Sequence, residues 1–333
     1  MKIILDVMGA DKPARELIRG AILAKEEYGT DIVLVGDESV IREALAEEQT
    51  PEGSFEIVHA GDIVTMEDEP MSIFQTHKES SMAKTLRLVA EGYGDAAVSA
   101  GNTGAYFTGA TLIVKRIRGI RRAALGTILP YASPMLLLDC GANADCTAEH
   151  LKQFAQMGAI YSEKFVKVQS PRVALANIGT EDSKGDRLRH EAFDLLKETK
   201  GVNFIGNVET RDVPYGCCDV LVADGFTGNI ILKLYEGVAG AMMANIKSIF
   251  KKSSITMLAA MMVKGGLLAL KVRMDYSEFG GAPLLGVNGV VIKAHGSSDA
   301  KAIRNAIRQA KTCAEKNIVG TIAQSVKEAA DAE

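Results

Sequence analysis

The chain has 333 residues, 47% apolar and 24% charged, with 38 basic against 42 acidic side chains and a formal net charge of −4. That length and balance suit a folded globular protein with a full α/β core and argue against intrinsic disorder or an overall basic field for nucleic acid, while leaving room for a local basic surface. Aromatic residues make up only 5%, with no Trp, which argues against the stacking platforms of single-strand nucleic-acid binders.

Short apolar runs alternate with amphipathic stretches from one end to the other. Met1–Asp6 enters a strand directly, with no signal peptide expected. Strand Ile3–Val7 precedes a helix over Ala14–Glu27, strand Ile32–Val35 a helix over Glu38–Glu47, and strand Phe55–His59 a helix over Ser81–Glu91. Further buried-type strands are predicted at Asp95–Val98, Leu136–Asp139, Val173–Ala176, Val220–Val222 and Val290–Lys293, the last before a helix over Ala300–Lys316. This alternation predicts a largely parallel sheet covered on both faces, an α/β/α sandwich. No Pro-, Ser- or Gly-rich linker divides the chain, so residues 1–333 are expected to form one continuous domain. The five cysteines include no C-x-x-C pair and read as reduced thiols of a cytosolic protein.

The alternation stops between Ile230 and Met274, where a helical pattern persists without a strand. Six of the 13 methionines fall there, and Ile255–Leu270 is nearly all apolar. Lys264, Gly265 and Gly266 interrupt this run, leaving it too short to span a bilayer. A protruding helical hairpin is expected over 230–274, in contact with a membrane, an acyl chain or a second subunit.

Two strand-to-helix loops share G-x-T-G, at Gly101–Gly104 and Gly225–Gly228. Glycine turns opening a helix expose unpaired N–H groups at the positive end of its dipole, where phosphate binds. Gly101, Asn102, Thr103, Gly104, Thr227 and Gly228 are therefore candidate phosphate ligands, with Thr103 and Thr227 serving either as hydroxyl donors or as helix caps. Asn229 is a second uncharged amide donor. Lys184, in the loop Gly179–Asp186, offers a cation at a strand's carboxyl end. His295 offers a proton carrier or a phosphate donor. No Walker P-loop, G-x-G-x-x-G after a strand, G-x-S-x-G or H-E-x-x-H occurs, so no nucleotide cofactor and no metal are expected. Transfer chemistry with phosphate as substrate remains.

The loops and their neighbours closely resemble the bacterial phosphate acyltransferase family of phospholipid synthesis, essentially end to end. The matching blocks are D-x-M-G-x-D at 6–11, S-A-G-N-T-G-A at 99–105, L-D-x-G-A-N at 138–143, G-N-V-E-x-R-D at 206–212, D-G-F-T-G-N at 224–229 and F-G-G-A-P-L-L-G at 279–286, leading to Ala294-His295-Gly296. Val7, Ala10 and Lys12 depart from the usual first loop. The resemblance implies a fold like isocitrate and isopropylmalate dehydrogenases and phosphate acetyltransferase, and a homodimer. It implies transfer of a long fatty acyl group from acyl carrier protein to inorganic phosphate, with the product passing to a membrane glycerol-phosphate acyltransferase. Peripheral association with the inner face of the cytoplasmic membrane follows from it. On this basis Lys184 and Asn229 hold phosphate and polarise the thioester carbonyl, the 101–104 loop and Gly228 supply backbone donors, and His295 assists. The acidic carrier is expected to dock on Lys251, Lys252, Lys271 and Arg273. The rival expectations are a short-chain acyl-CoA phosphate acyltransferase and a non-catalytic phosphate- or lipid-binding protein.

Overall fold

The short apolar runs in the middle of the sheet become strands because both of their faces find cover. The computed structural model describes residues 1–130, 133–273 and 276–331; the side chains of residues 271–273, 276 and 277 lie outside the description. Among the described residues eleven strands form one sheet: β1 (Lys2–Asp6), β2 (Asp31–Gly36), β3 (Glu56–His59), β4 (Ala96–Ser99), β5 (Ala124–Leu129), β6 (Met135–Leu138), β7 (Arg172–Asn177), β8 (Asn203–Glu209), β9 (Val220–Val222), β10 (Ala282–Leu285) and β11 (Val290–Lys293). Their order is β3-β2-β1-β4-β11-β10-β5-β6-β9-β7-β8.

The sheet is parallel within two halves, β3-β2-β1-β4-β11 and β6-β9-β7-β8, joined by the antiparallel pairs β11–β10, β10–β5 and β5–β6. The largely parallel sandwich expected from the alternation is therefore present, with β5, β8 and β10 in addition to the strands read from the sequence. The two halves run in opposite directions. β10 pairs with β11 through Ala282 and Pro283, and with β5 through Leu284 and Leu285. This stagger brings the carboxyl ends of β11 and β6 towards each other, because Lys293 lies opposite Ala282 and Leu138 opposite Gly126.

Alternation along the strands divides the core into layers. Ile3, Leu5, Val98, Ile292, Leu138, Leu175 and Val222 face one continuous layer that spans both halves. On the opposite face Ile4, Ala97 and Val291 enter one cluster, while Leu137, Ala174 and Leu221 enter another. That face is split at the middle of the sheet, and the cavity described below opens there.

The segment from Ile230 onward is helical, as expected, but as three helices: Gly225–Phe250, Ser254–Met262 and Lys264–Arg273. The breaks fall at Lys251–Ser253 and at Val263, so Gly265 and Gly266 lie inside a helix. Of the 26 residues in the first helix only Gly225 and Gly228 are buried, and the second buries none. Ile255 is 81% exposed and Met262 82%. Met274 lies outside the described residues, as do the side chains of Lys271 and Arg273. Among the described residues no helix is long and apolar enough to cross a membrane.

Candidate active site

Three polar residues line up across adjacent strand ends. Asp6 of β1 and Lys293 of β11 both lie opposite Ser99 of β4 in the parallel registers. All three are buried, and Ser99 Oγ donates to Asp6 Oδ2 at 2.7 Å. Burial pushes the Asp6 carboxyl up to about 6, against hydrogen bonds from Ser81, Ser99 and Met8 and the charge of Lys293. Burial likewise lowers the Lys293 ammonium to about 8, against the carboxylates of Asp6 and Asp11. Lys293 nonetheless faces a cavity of about 730 Å³, a volume typical of small-ligand sites. Its Nζ donates to the carbonyl of Ala294.

The β4 loop forms one wall. Asn102 caps the helix Thr103–Gly109 by accepting the Ala105 N–H at 3.0 Å, and its amide donates to the carbonyls of Thr65, Met66 and Asp68 at 3.0, 3.2 and 2.9 Å. This side chain ties the 65–68 loop to the glycine loop and has no donor left for a ligand. Gly101, Thr103 and Gly104 do line the cavity. The first N–H groups of such a helix lack internal partners and are available to an anion.

The opposite wall comes from the other half. Asp224 caps the helix Gly225–Phe250 through the Thr227 N–H at 2.9 Å, and its second carboxylate oxygen takes the Thr227 hydroxyl at 2.8 Å and the Arg189 guanidinium. Arg189 also donates to Thr227 Oγ1 at 2.8 Å. The Thr227 hydroxyl is thus occupied at the cap. Gly228 donates its N–H to Asp224 O at 2.9 Å, and a Cβ there would sit 1.9 Å from the Asp139 carbonyl oxygen. Glycine is needed at 228 for close packing on the β6 loop. Neither Thr227 nor Gly228 lines the cavity, whereas Asn229, the next residue, does. Leu232, Lys233 and Glu236 follow on the same helical face, and Lys233 pairs with Glu236 at 2.8 Å.

The β6 loop is built around Asp139, which is fully buried. Its carboxylate accepts N–H groups from Leu125, Gly141, Ala142 and Asn143 and the Asn143 amide, at 2.7–3.2 Å. Burial raises this carboxyl, and those donors pull it back. The L-D-x-G-A-N block is therefore a folding device that sets Gly141, at φ +140°, against the Asn229 side chain.

His295 completes the rim. Its Nδ1 accepts the Ser297 N–H at 3.2 Å and lies 2.8 Å from Ser297 Oγ. Burial, then Lys293 and Lys233, lower its pKa and favour the neutral ring, in which the Ser297 N–H on Nδ1 leaves Nε2 as the donor.

Lys184 is exposed on the β7 loop and does not line the cavity. Its N–H donates to Glu181 O at 3.1 Å, and its carbonyl accepts the Asn177 amide at 3.0 Å. Of the expected centre, then, Asn229, His295, Gly101, Thr103 and Gly104 come together, while Lys184, Thr227, Gly228 and the Asn102 amide do not face the cavity. Sequence reasoning missed Lys293, which reads as the polar flank of a strand. The signal available was its place two residues before His295 at the end of an apolar run. Lys251 and Lys252 are exposed after the long helix. Among the described residues no three His, Cys, Asp or Glu side chains gather to hold a metal.

Residues 1–320 match the family described as "Fatty acid synthesis protein". The "Phosphate acyltransferase" of Alkaliphilus oremlandii (strain OhILAs) is 43% identical over 334 residues, covering 100% of this chain and 99% of its own length. The protein of the same name from Clostridioides difficile (strain 630) is 44% identical over 328 residues, covering 98% and 96%. A phosphotransacetylase from Streptococcus pyogenes superposes with a TM-score of 0.65 at 17% identity, over 95% of this chain and 94% of that one. A 4-hydroxythreonine-4-phosphate dehydrogenase from Klebsiella pneumoniae gives 0.56 at 14% identity, over 94% and 99%. At these identities the likeness is one of fold, and it agrees with the dehydrogenase-like α/β sandwich expected from the sequence.

Proposed function

The chain belongs to this family, that of the phosphate acyltransferases, and on that premise we propose that it transfers a long-chain fatty acyl group from acyl carrier protein to inorganic phosphate. The acyl phosphate formed serves phospholipid synthesis. Hydrogen phosphate attacks the thioester carbonyl, the new C–O bond forms, the C–S bond breaks, and the leaving thiolate takes up the phosphate proton. Phosphate is already nucleophilic and a thiolate leaves readily, so positioning and oxyanion stabilisation suffice.

The observation that carries this reading is the convergence in one cavity of donors from both halves of the sheet. Lys293 supplies the buried cation, and the N–H groups at Thr103 and Gly104 hold phosphate oxygens. The Asn229 amide and His295 Nε2 stabilise the carbonyl oxygen as it becomes negative. Leu232, Phe107 and Leu125 give the acyl chain an apolar wall.

Two further parts of the proposal concern surfaces. A second copy of the chain covers the apolar residues Ile178, Phe226, Ile230 and Leu234, which are 81%, 64%, 53% and 65% exposed. Arg189 ties the end of the Lys184 loop, at Asp186, to the start of the long helix. Pairing there places Lys184 beside the interface, where it acts on phosphate. The hairpin tip, with Ile255, Met261 and Met262 exposed, rests on the inner face of the cytoplasmic membrane and hands the product to a glycerol-phosphate acyltransferase. Lys251 and Lys252, in the turn after the long helix, favour an acidic carrier or anionic headgroups.

The test mixes the protein with palmitoyl-acyl carrier protein and phosphate and traps acyl phosphate with hydroxylamine. Phosphate-dependent hydroxamate is expected. Product from acetyl-CoA alone would instead place the chain with short-chain enzymes, and none from any donor would leave a binding protein.

A further inference from the structure

From residue 96 to residue 138 the sequence has no acidic residue, and five cations fall within eight positions: Lys115, Arg116, Arg118, Arg121 and Arg122. All five are exposed. None is held in an ion pair among the described residues. In a chain of net charge −4 such an unneutralised cluster is the opposite of a solvated mixed surface.

The segment is not a loose tail. Ile117 and Ile120 are buried beneath it. The Ile117 N–H donates to Gly286 O at 3.0 Å, and Asn288 donates to the carbonyls of Lys115 and Arg116 at 2.8 and 2.9 Å. Gln153 accepts the Arg121 N–H at 2.9 Å and donates to Gly119 O at 2.8 Å. Five cations are therefore presented on a fixed backbone, beside a shallow groove of about 450 Å³ over Thr111–Ile120. The segment also adjoins the cavity wall. Three residues after Arg122 comes Leu125, which lines the cavity, and Ala123 O takes the Asn143 amide at 2.8 Å, two residues from the cavity-lining Gly141.

We propose that residues 115–122 are the docking surface for an acidic protein substrate, the acyl-bearing carrier of the proposed reaction, and the inference rests on that reading. A fixed cationic patch steers an acidic partner and fixes its register. Leu112 is the one large apolar side chain exposed in this stretch, so there is little here to insert into a bilayer, in contrast to the hairpin. The five cations also outnumber the Lys251–Lys252 pair in the turn after the long helix.

The test is steady-state kinetics of the full chain with palmitoyl-acyl carrier protein and, in parallel, S-palmitoyl-pantetheine, a donor without the acidic protein. Arg118→Glu with Arg122→Glu is expected to raise the KM for the carrier-bound donor on the order of ten-fold at low salt and less at high salt. The kcat and the pantetheine reaction are expected to stay unchanged. Arg118→Gln with Arg122→Gln gives a smaller rise in the same direction and covers a charge reversal that fails to fold. An unchanged carrier KM in both variants overturns the proposal. So does a loss shared equally by both donors, which would assign the arginines to the fold. A rise seen only with Lys251→Glu and Lys252→Glu moves docking to the hairpin and overturns it. Lost binding to phosphatidylglycerol vesicles, with the carrier KM unchanged, does so in favour of lipid. No acyl phosphate from the carrier-bound donor with the unmodified chain removes the functional reading itself.

Discussion

The cavity and the helices from Gly225 to Met262 hold their side chains in opposite states. The loops that frame the cavity are each tied down by a partnered polar side chain: Asp139 holds five donors, Asn102 four partners, and Asp224 a threonine and an arginine. In the helices from Gly225 to Met262 only two glycines are buried, and leucines, isoleucines and methionines face outward. A site that must stabilise a developing charge needs donors that do not reorganise. A surface that meets a second copy or a lipid must instead leave its apolar area uncovered until contact.

The sharpest way to break this contrast is to remove a donor from the rigid side. Asn229→Ala should lower kcat on the order of 10²–10³-fold with melting temperature unchanged, since Asn229 is exposed and accounts for little packing. Hydroxylamine trapping measures the first and thermal unfolding the second.

Lys293→Gln comes next, raising the KM for phosphate by roughly 10- to 100-fold, the worth of a charged hydrogen bond. It carries a pH signature. With the buried ammonium near 8 in the folded chain, raising the pH through 8 discharges it, so the KM for phosphate should climb there in the parent and stay flat in the variant. For stability the sign is reversed. Between about 8 and the ordinary value of 10.5 the unfolded chain binds more protons, so this group makes the fold more stable as pH rises. Urea unfolding at pH 7.5 and 9.5 should show that slope in the parent and lose it in Lys293→Gln.

Gly228→Ala should cost roughly 1–3 kcal/mol by forcing the helix off the β6 loop, read as a lower denaturation midpoint. The smallest effect on the fold is expected at the other pole. Ile255→Ser with Met262→Ser should change unfolding free energy by no more than about 0.5 kcal/mol, because neither side chain is buried. The same pair should reduce sedimentation with lipid vesicles. A large loss of stability instead would mean the tip is packed, and the contrast would fail.

Much of this was legible in local chemistry. Val290–Lys293 is a strand at the residues its apolar run suggests. The caps of the two G-x-T-G helices are not the expected Thr103 and Thr227 but Asn102 and Asp224, one and three residues earlier, whose side chains reach the free N–H groups and take the capping role. β10 was not legible, since Ala282–Leu285 contains a proline and follows two glycines. The site was half legible. Asn229, near the start of the long helix, and His295, in the loop after β11, follow glycine-rich or strand-end segments where an isolated polar residue is conspicuous, whereas Lys293 ends a strand and looks like any solvated flank. The two G-x-T-G loops read alike, yet one faces the cavity and the other packs its threonine and second glycine into a cap.

The sequence by itself determined eight of the eleven described strands, the starts of the helices Ala14–Tyr28, Glu38–Glu47, Ser81–Ala90 and Ala300–Glu315, the apolar helical stretch after Ile230 and the family, because these rest on periodicity and residue order within a few positions. The tertiary structure alone decided which groups share a space. The stagger along β10 brings the carboxyl ends of two opposed half-sheets to one cavity, buries Lys293 beside Asp6 and Ser99, and leaves Lys184 outside it. Those are contacts between residues hundreds of positions apart, fixed by pairing register and packing, and no local pattern encodes them.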